Sequence, residues 1–468
     1  MHNGNILLIN PWIYDFAAYD MWTEPLGLLY IAGLLRKNGY RINLVNCLDR
    51  YHPDLLKLQN RKEPKNDQFG CGKFHKEIIE RPPLLEDIPR RYGRYGLPHR
   101  IFLKELAKTE HPDVVLVTSS MTYWYPGVFA AIREVKEYFP GVPIILGGVY
   151  ATLCYDHAVQ NSGADYVVSG EGEIQALKLV AQLTGKGSHR LNLPRNIDDY
   201  PYPAHDLLTS RDSLAILSSR GCPIGCTYCA SKLVAGSFRQ RDPMKVVDEI
   251  EFYYREFGTK NFAFFDDALL LNPEQHISVI LEEIISRKLD ACFHTPNGIH
   301  ARQIIAPLAQ RMFRAGFKTI RIGLETSDED RQRSTGNKIN SEEFREAVEN
   351  LKAAGYTGKD IGAYILMGLP GQPLEEMFES VRYVHKCGAM AKLAIYSPIP
   401  GTEEWKKAVE EFGLDPDADP LLHNNSIYPM RSGDMTVQDF QEVKAFALKC
   451  NNALLQIPNV GARHASPS

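Results

Sequence analysis

Twice along this chain, short apolar runs of strand length alternate with stretches of helical periodicity, and that double alternation leaves few folds open. The first set of strands falls at Asn5–Asn10, Arg41–Cys47, Asp113–Ser119, Pro143–Leu146 and Asp165–Ser169, with helical spacing at Leu26–Arg36 and Val128–Tyr138. Alternation of this kind predicts a parallel sheet covered on both faces, with ligands beyond the carboxyl ends of its strands. Thr118, Ser119, Gly147, Gly148, Gly170 and Gly172 all fall at those ends. A proline-marked crossing, Leu191–His205, precedes the second set. Its strands are Leu214–Ser219, Asn261–Phe265, Cys292–Thr295, Thr319–Leu324, Gly362–Met367 and Ala391–Tyr396, with helical patterns such as Met244–Phe257 and Ser341–Ala354 between them. These units predict an incomplete barrel whose chemistry sits at the carboxyl strand ends. The expected fold is therefore α/β: a doubly wound, Rossmann-like domain over 1–190, a linker over 191–212, a partial (β/α)6 barrel of TIM type over 213–405 and a helical extension over 406–468.

The stretch Tyr51–Glu110 breaks the first alternation. It is polar, basic and poorly periodic, and it reads as an inserted solvated lid around Cys71-Gly-Lys-Phe-His75. With 468 residues, 44% of them hydrophobic, the chain supports two or three full cores. A net charge of −4 argues against broad electrostatic binding to nucleic acid or anionic membrane. No apolar run reaches the roughly 18 residues of a spanning helix, and MHNGNILLINPW lacks the build of a signal peptide. Of nine cysteines, six are scattered: Cys47, Cys71, Cys154, Cys292, Cys387 and Cys450. An odd count without framework spacing points to a reducing cytoplasm.

The other three form Cys222-Pro-Ile-Gly-Cys226-Thr-Tyr-Cys229, just after the first barrel strand. Three thiolates on one tight loop suit three corners of a [4Fe–4S] cube and leave the fourth iron to a non-protein ligand. Gly221 and Gly225 let the loop bend, and Pro223 stiffens it. A structural zinc ion would want four ligands, and no partner cysteine pair exists. Three inert buried thiols are the bland alternative.

This segment resembles the cysteine motif of the radical S-adenosylmethionine (SAM) superfamily. The resemblance implies that the open iron chelates the methionine end of SAM and that electron transfer cleaves SAM to a 5′-deoxyadenosyl radical. It also implies site residues. Tyr228 matches the aromatic position whose backbone meets adenine. Phe264-Phe-Asp-Asp267 ends the second strand, where Asp266 or Asp267 would accept from the SAM ammonium, although the family more often has Gly-Gly-Glu there. Arg321-Ile-Gly-Leu-Glu325 resembles a SAM-contacting motif, with Glu325 reaching the amino group or the ribose. Leu366-Met-Gly368-Leu-Pro-Gly371 resembles the segment packed on adenine. For each carboxylate the alternative is a structural salt bridge. His294 and Asn297 either line the site or form a turn around a satisfied core histidine.

An α/β domain ahead of such a barrel resembles the cobalamin-binding subfamily. Its markers are Pro25–Ala32, Thr118-Ser-Ser120, Gly147-Gly-Val-Tyr-Ala151 and Gly170-Glu-Gly-Glu173. The resemblance implies that Thr118, Ser119 and Ser120 bind the nucleotide tail and that Gly147, Gly148, Gly170 and Gly172 admit the corrin. The Asp-x-His-x-x-Gly signature is absent, and Asp49 and His52 have the wrong spacing, so no histidine need ligate cobalt. Trp12-Ile-Tyr14 is a candidate cover for the lower face. The implied activity is cobalamin-dependent methylation of an unactivated carbon of a small molecule, with an electron donor such as flavodoxin or ferredoxin and with neither nucleic acid nor membrane as partner. The alternatives are a non-methylating rearrangement, cyclisation or sulfur insertion, or a sensor without catalysis. Ser397–Thr402 and His423–Ser426 are candidates for the substrate end. Arg90, Arg91 and Arg94 either favour an anionic substrate or solvate the lid.

Overall fold

The computed structural model describes residues 2–186 and 191–456; positions 187–190, and 457–468 of the expected C-terminal extension, lie outside the described residues. The first sheet holds β1 (Asn5–Asn10), β2 (Arg41–Asn46), β3 (Val114–Val117), β4 (Ile144–Leu146) and β5 (Tyr166–Val167). All are parallel, in the order β5-β4-β3-β1-β2. The connections reverse direction between β1 and β3, which opens a crevice at the carboxyl ends of those strands. The unbroken apolar run of β1 follows from burial on both faces. Ile6 and Leu8 pack beneath helices Leu26–Lys37 and Glu173–Thr184, while Leu7 and Ile9 meet helices His99–Lys108 and Tyr125–Tyr138.

The second sheet holds β6 (Ser213–Ile216), β7 (Asn261–Phe264), β8 (Cys292–His294), β9 (Phe317–Glu325), β10 (Ile361–Met367) and β11 (Met390–Ile395), parallel and in sequence order. Phe262, Phe264, Phe293 and Phe317 stack outward against helices Pro243–Glu256 and Ile277–Ser286. Local signals set the helix ends. Asn340 and Glu343 form a capping box at the start of Ser341–Ala354, and Gly355, at φ 115°, ends it. Helix Val437–Leu455 lays Phe440, Val443 and Ala447 on the barrel core. Among the described residues no helix is long and apolar enough to cross a membrane.

The segment 51–110 is not a solvated lid. Its strands Lys76–Ile78 and Gly93–Tyr95 pair antiparallel with each other, and Gly93–Tyr95 pairs with Ile13–Asp15. Phe102, fully buried, sets its ring 4.6 Å from that of Trp12. Two of the basic residues that make the stretch look solvated have specific partners. Arg94 pairs with Glu77 and lies over Trp12. Arg90 lies over Phe16 and donates to the carbonyl of Ser426. Arginine stems and cation–π contacts thus do the work that apolar periodicity does elsewhere. Phe102→Ala should lower the stability of the chain by about 3–5 kcal/mol in chemical denaturation; a change within about 0.5 kcal/mol would restore the solvated reading.

Candidate active site

Two cavities meet at the carboxyl ends of the two sheets. The first, of about 400 Å³, is lined by Cys222, Cys226, Cys229, Tyr228, Asp267 and Glu325, together with Asn297, His300, Lys338 and Tyr364. The second, of about 390 Å³, lies between the first sheet and β6. Asp267 lines both.

The cysteine loop is shaped from both sides. Gly221 turns at φ 74°, where a Cβ would sit 3.1 Å from the carbonyls of Gly236 and Ser237. Gly336, at φ 113°, packs flat on the loop, and a Cβ there would come within 2.9 Å of Cys226 Cα. Thr227 donates from its backbone to Thr335 O at 3.3 Å and from its hydroxyl to Glu404 at 2.9 Å. All three thiols are unbridged and face one cavity. Among the described residues no three His, Cys, Asp or Glu side chains converge closely enough to hold a single metal ion. A donor set of three thiols spread round a shared space suits a cluster.

The two candidate aspartates separate. Asp267 faces the cavities and accepts from the hydroxyl of Ser231. Asp266 lies outside the lining of both cavities, contrary to its expected place at the SAM ammonium. It is buried and accepts from Ser218 N at 3.1 Å, Ser218 Oγ at 2.7 Å and Ser219 Oγ at 2.5 Å, so its carboxylate is already satisfied. Gly368 also lies outside the cavity lining. It turns at φ 83° beneath Met430 O, 3.0 Å from the place of a Cβ, and its N–H donates to Gln372 Oε1. His294 is a core histidine rather than a site residue. Trp22 stacks on it at 4.3 Å and Phe69 leans on it at 4.7 Å. Its two nitrogens meet Thr319 Oγ1 and Asn261 Oδ1, which a neutral ring satisfies. Asn297 lines the cluster cavity and donates to Phe265 O.

Glu325 holds a left-handed backbone, φ 68°, at a bulge in β9, an arrangement that costs about 1–3 kcal/mol. Its carboxylate pairs at 3.2 Å with Lys338, which the sequence reading missed. The available signal was Gly336-Asn-Lys338, a glycine needed against the cysteine loop with a lysine two residues on. Burial alone would lower the Lys338 pKa; Glu325 and then Cys226 outweigh it and raise the pKa. Burial pushes all three cysteine thiols up, and Lys338 acts against that shift on each. The cation thus favours the thiolate form that a metal cluster needs.

The second cavity is lined by Thr118, Ser119, Ser120, Gly147, Gly148, Gly170 and Gly172, and on the barrel side by Leu217, Ser219, Arg220 and Phe265. Gly148 is demanded by close approach, since a Cβ at its φ of 97° would lie 2.2 Å from Ser119 O. Ser119 donates to Gly147 O and accepts from Ala151 N, so it holds the loop, whereas Thr118 and Ser120 stay open toward the space. Arg220 spans the gap between the domains. It pairs with Glu173 at 2.6 Å and Glu171 at 3.7 Å, and it lies over the rings of Tyr30 and Tyr200 at 4.8 and 5.1 Å.

Comparison with known proteins agrees with this architecture. Residues 216–384 match the radical SAM superfamily and residues 102–180 the B12 binding domain. The chain is thus an enzyme of the radical SAM superfamily with a B12-binding domain ahead of its barrel. The cofactors of such a chain are a [4Fe–4S] cluster, SAM and cobalamin. An uncharacterised methyltransferase of Pyrococcus horikoshii is 26% identical over 391 residues, covering 72% of this chain and 84% of its own. The cytidylyl-2-hydroxyethylphosphonate methyltransferase of Streptomyces wedmorensis is 23% identical, covering 95% and 89%. The radical SAM methyltransferase TsrM of Kitasatospora setae, solved with cobalamin and a [4Fe–4S] cluster, superposes with a TM-score of 0.63 at 14% identity over 98% of this chain and 90% of that one. That last likeness is one of fold.

Arg220→Met leaves Glu173 buried without its partner and should cost about 3–5 kcal/mol, read as a lower unfolding midpoint in denaturant. A second prediction concerns pH. Burial depresses His294 to about 3 and His423 to about 4. Their unfolded counterparts titrate near ~6.5. As pH falls below ~6.5 the unfolded chain gains protons that the native chain does not, so stability falls down to the folded values. At pH 5 each histidine should contribute a loss of about 2 kcal/mol. Melting at pH 7 and pH 5 checks this: the drop should shrink in His423→Asn, and an equal drop in variant and parent would refute it.

Proposed function

We propose that this enzyme methylates an unactivated carbon of a small molecule, with a [4Fe–4S] cluster held by Cys222, Cys226 and Cys229, SAM beside it and cobalamin in the neighbouring cavity. The observation that carries this reading is the common wall at Asp267, which puts the cysteine cavity and the cavity of the B12-binding domain side by side. When bound, the cluster and SAM supply a hydrogen-abstracting radical, and cobalamin supplies a methyl carrier. The chain supplies position. Glu325 and Asp267 offer carboxylates to the ammonium and ribose of SAM, Tyr228 offers a wall for adenine, and Lys338 balances the charge of the thiolates. Thr118 and Ser120 offer hydroxyls to the cobalamin tail, and Gly147, Gly148, Gly170 and Gly172 keep the corrin side clear. Electrons would come from a flavodoxin or ferredoxin. Oxygen-sensitive chemistry and nine unbridged cysteines suit the cytoplasm.

A second reading has one observation in its favour. An anaerobic magnesium-protoporphyrin IX monomethyl ester cyclase of Rubrivivax gelatinosus is 24% identical over 76% of this chain. A cyclisation would use the same cofactors without methyl transfer.

Anaerobically reconstituted enzyme should carry about four irons and one cobalt per chain. Reduced with SAM and substrate, it should release 5′-deoxyadenosine together with S-adenosylhomocysteine. 5′-Deoxyadenosine alone would favour the cyclase-like reading, and iron without cobalt would remove cobalamin from the scheme. Cys226→Ala should drop SAM cleavage to background, and retained cleavage would overturn the site.

A further inference from the structure

The buried cations of the barrel domain generally have carboxylate partners. Lys338 pairs with Glu325, Arg331 with Glu376 at 2.8 Å, and Arg241 with Glu249 at 2.6 Å. Arg321 on β9 and Lys392 on β11 depart from this pattern. Among the described residues neither makes an ion pair with a carboxylate, and no carboxylate is among the groups whose charge acts on them. Both are half-buried, and their neighbours Ile320, Ile322, Ala391 and Leu393 pack into the core beneath the helices, which turns the two cations to the opposite, inward face. They flank β10 at Gly362, where a Cβ would come 2.9 Å from Nη1 of Arg321 and 3.0 Å from Cγ of Lys392. The glycine therefore gives two cations room to converge. Burial lowers the pKa of each, and Arg321 lowers that of Lys392 further. Like charges gathered in a low-dielectric space without a counter-charge are unfavourable unless an anion joins them.

Their position relates them to the active site. Lys392 stands in register with Tyr364, which lines the cluster cavity, and Ala394, two residues further along β11, lines it too. At ~3.3 Å per residue the lysine backbone lies about 7 Å below that wall. The barrel interior nearby is walled by Trp22, Phe69 and His294, whose packing keeps the local dielectric low. Arg94 and Arg90 of the inserted segment do not offer such a site, because Arg94 is spent on Glu77 and Arg90 on the Ser426 carbonyl.

We propose that Arg321 and Lys392 form an anion subsite that grips a phosphoryl or carboxylate group of the substrate, with the reacting carbon held above it in the cluster cavity. The planar guanidinium fork takes two oxygens and the ammonium a third. The proposal rests on the reading of that cavity as the radical site, and it names the substrate class: a small organic anion.

The test uses the full-length, anaerobically reconstituted chain and two probes, inorganic phosphate and acetate, titrated at constant ionic strength with chloride as the balance. Thermal unfolding reads the binding. At least one probe should raise the melting temperature saturably. Phosphate alone would assign a phosphoryl group, and acetate alone or both together a carboxylate-tolerant subsite. Lys392→Met should weaken the apparent affinity roughly tenfold or more. Gly362→Ala keeps both charges but pushes them apart, and it should weaken binding as well. No saturable shift with either probe, or unchanged affinity in both variants, would overturn the subsite. Parallel measurement of 5′-deoxyadenosine separates the two readings. Anion binding through the pair without SAM cleavage upholds the subsite and refutes the catalytic assignment; cleavage without anion binding does the reverse.

Discussion

Arg220 is the contact on which the relation between the two halves depends. Its guanidinium leaves one domain, lies over the rings of Tyr30 and Tyr200, and ends on Glu173 and Glu171 of the other. A buried cation is tolerable only when its partners are all in place. Burial acts to lower its pKa, and Glu173 and Tyr30 overcome that and raise it. Arg220 is also two residues from Cys222. The loop that carries the first cysteine therefore carries the latch, and the Gly170-Glu-Gly-Glu173 turn that borders one cavity supplies the other end. Cluster loop and B12-side cavity are mechanically one object.

A six-stranded barrel leaves interior space, and this chain fills part of it from the other domain. Trp22 and Phe69 both hold left-handed backbones, at φ 57° and 59°, and Trp22 Nε1 donates to Phe69 O at 2.9 Å. Such strain persists only where the surroundings fix it. Here the fixing comes from His294 stacked beneath the indole and from Ala263, a small inward residue on β7 that leaves room for it. Cys71 joins the same cluster. The inserted segment is thus part of the barrel interior, and the polar residues around it serve packing.

The sequence made the parallel strands legible because they are buried on both faces and bounded by turn residues. The cysteine loop was legible because its spacing has few uses. Other features depended on direction, which sequence does not carry. Asp266 and Asp267 are neighbours, and successive side chains at the end of a strand point to opposite sides. No property of the pair Asp-Asp says which one faces the cavity. Gly336-Asn-Lys338 hinted at Lys338, but its role became readable only with the bulge at Glu325 and the approach of Gly336 to the cysteine loop. The segment 51–110 misled because its packing uses Arg94 on Trp12 and Lys76 on Tyr95, contacts without a hydrophobic period.

The aspartate pair also explains how the barrel controls its cysteine loop. Asp266 holds Ser218 and Ser219, just before Cys222, while Asp267 holds Ser231, just after Cys229. Two adjacent carboxylates just past the end of β7 therefore staple both ends of the loop that carries the three thiols. The staples differ in burial: Asp266 is closed off by the hydrogen bonds it accepts from Ser218 N, shared between its two oxygens, and from the hydroxyls of Ser218 and Ser219, whereas Asp267 remains on the wall common to both cavities. Asp267 thus ties the wall common to both cavities to the end of the loop that carries Cys229.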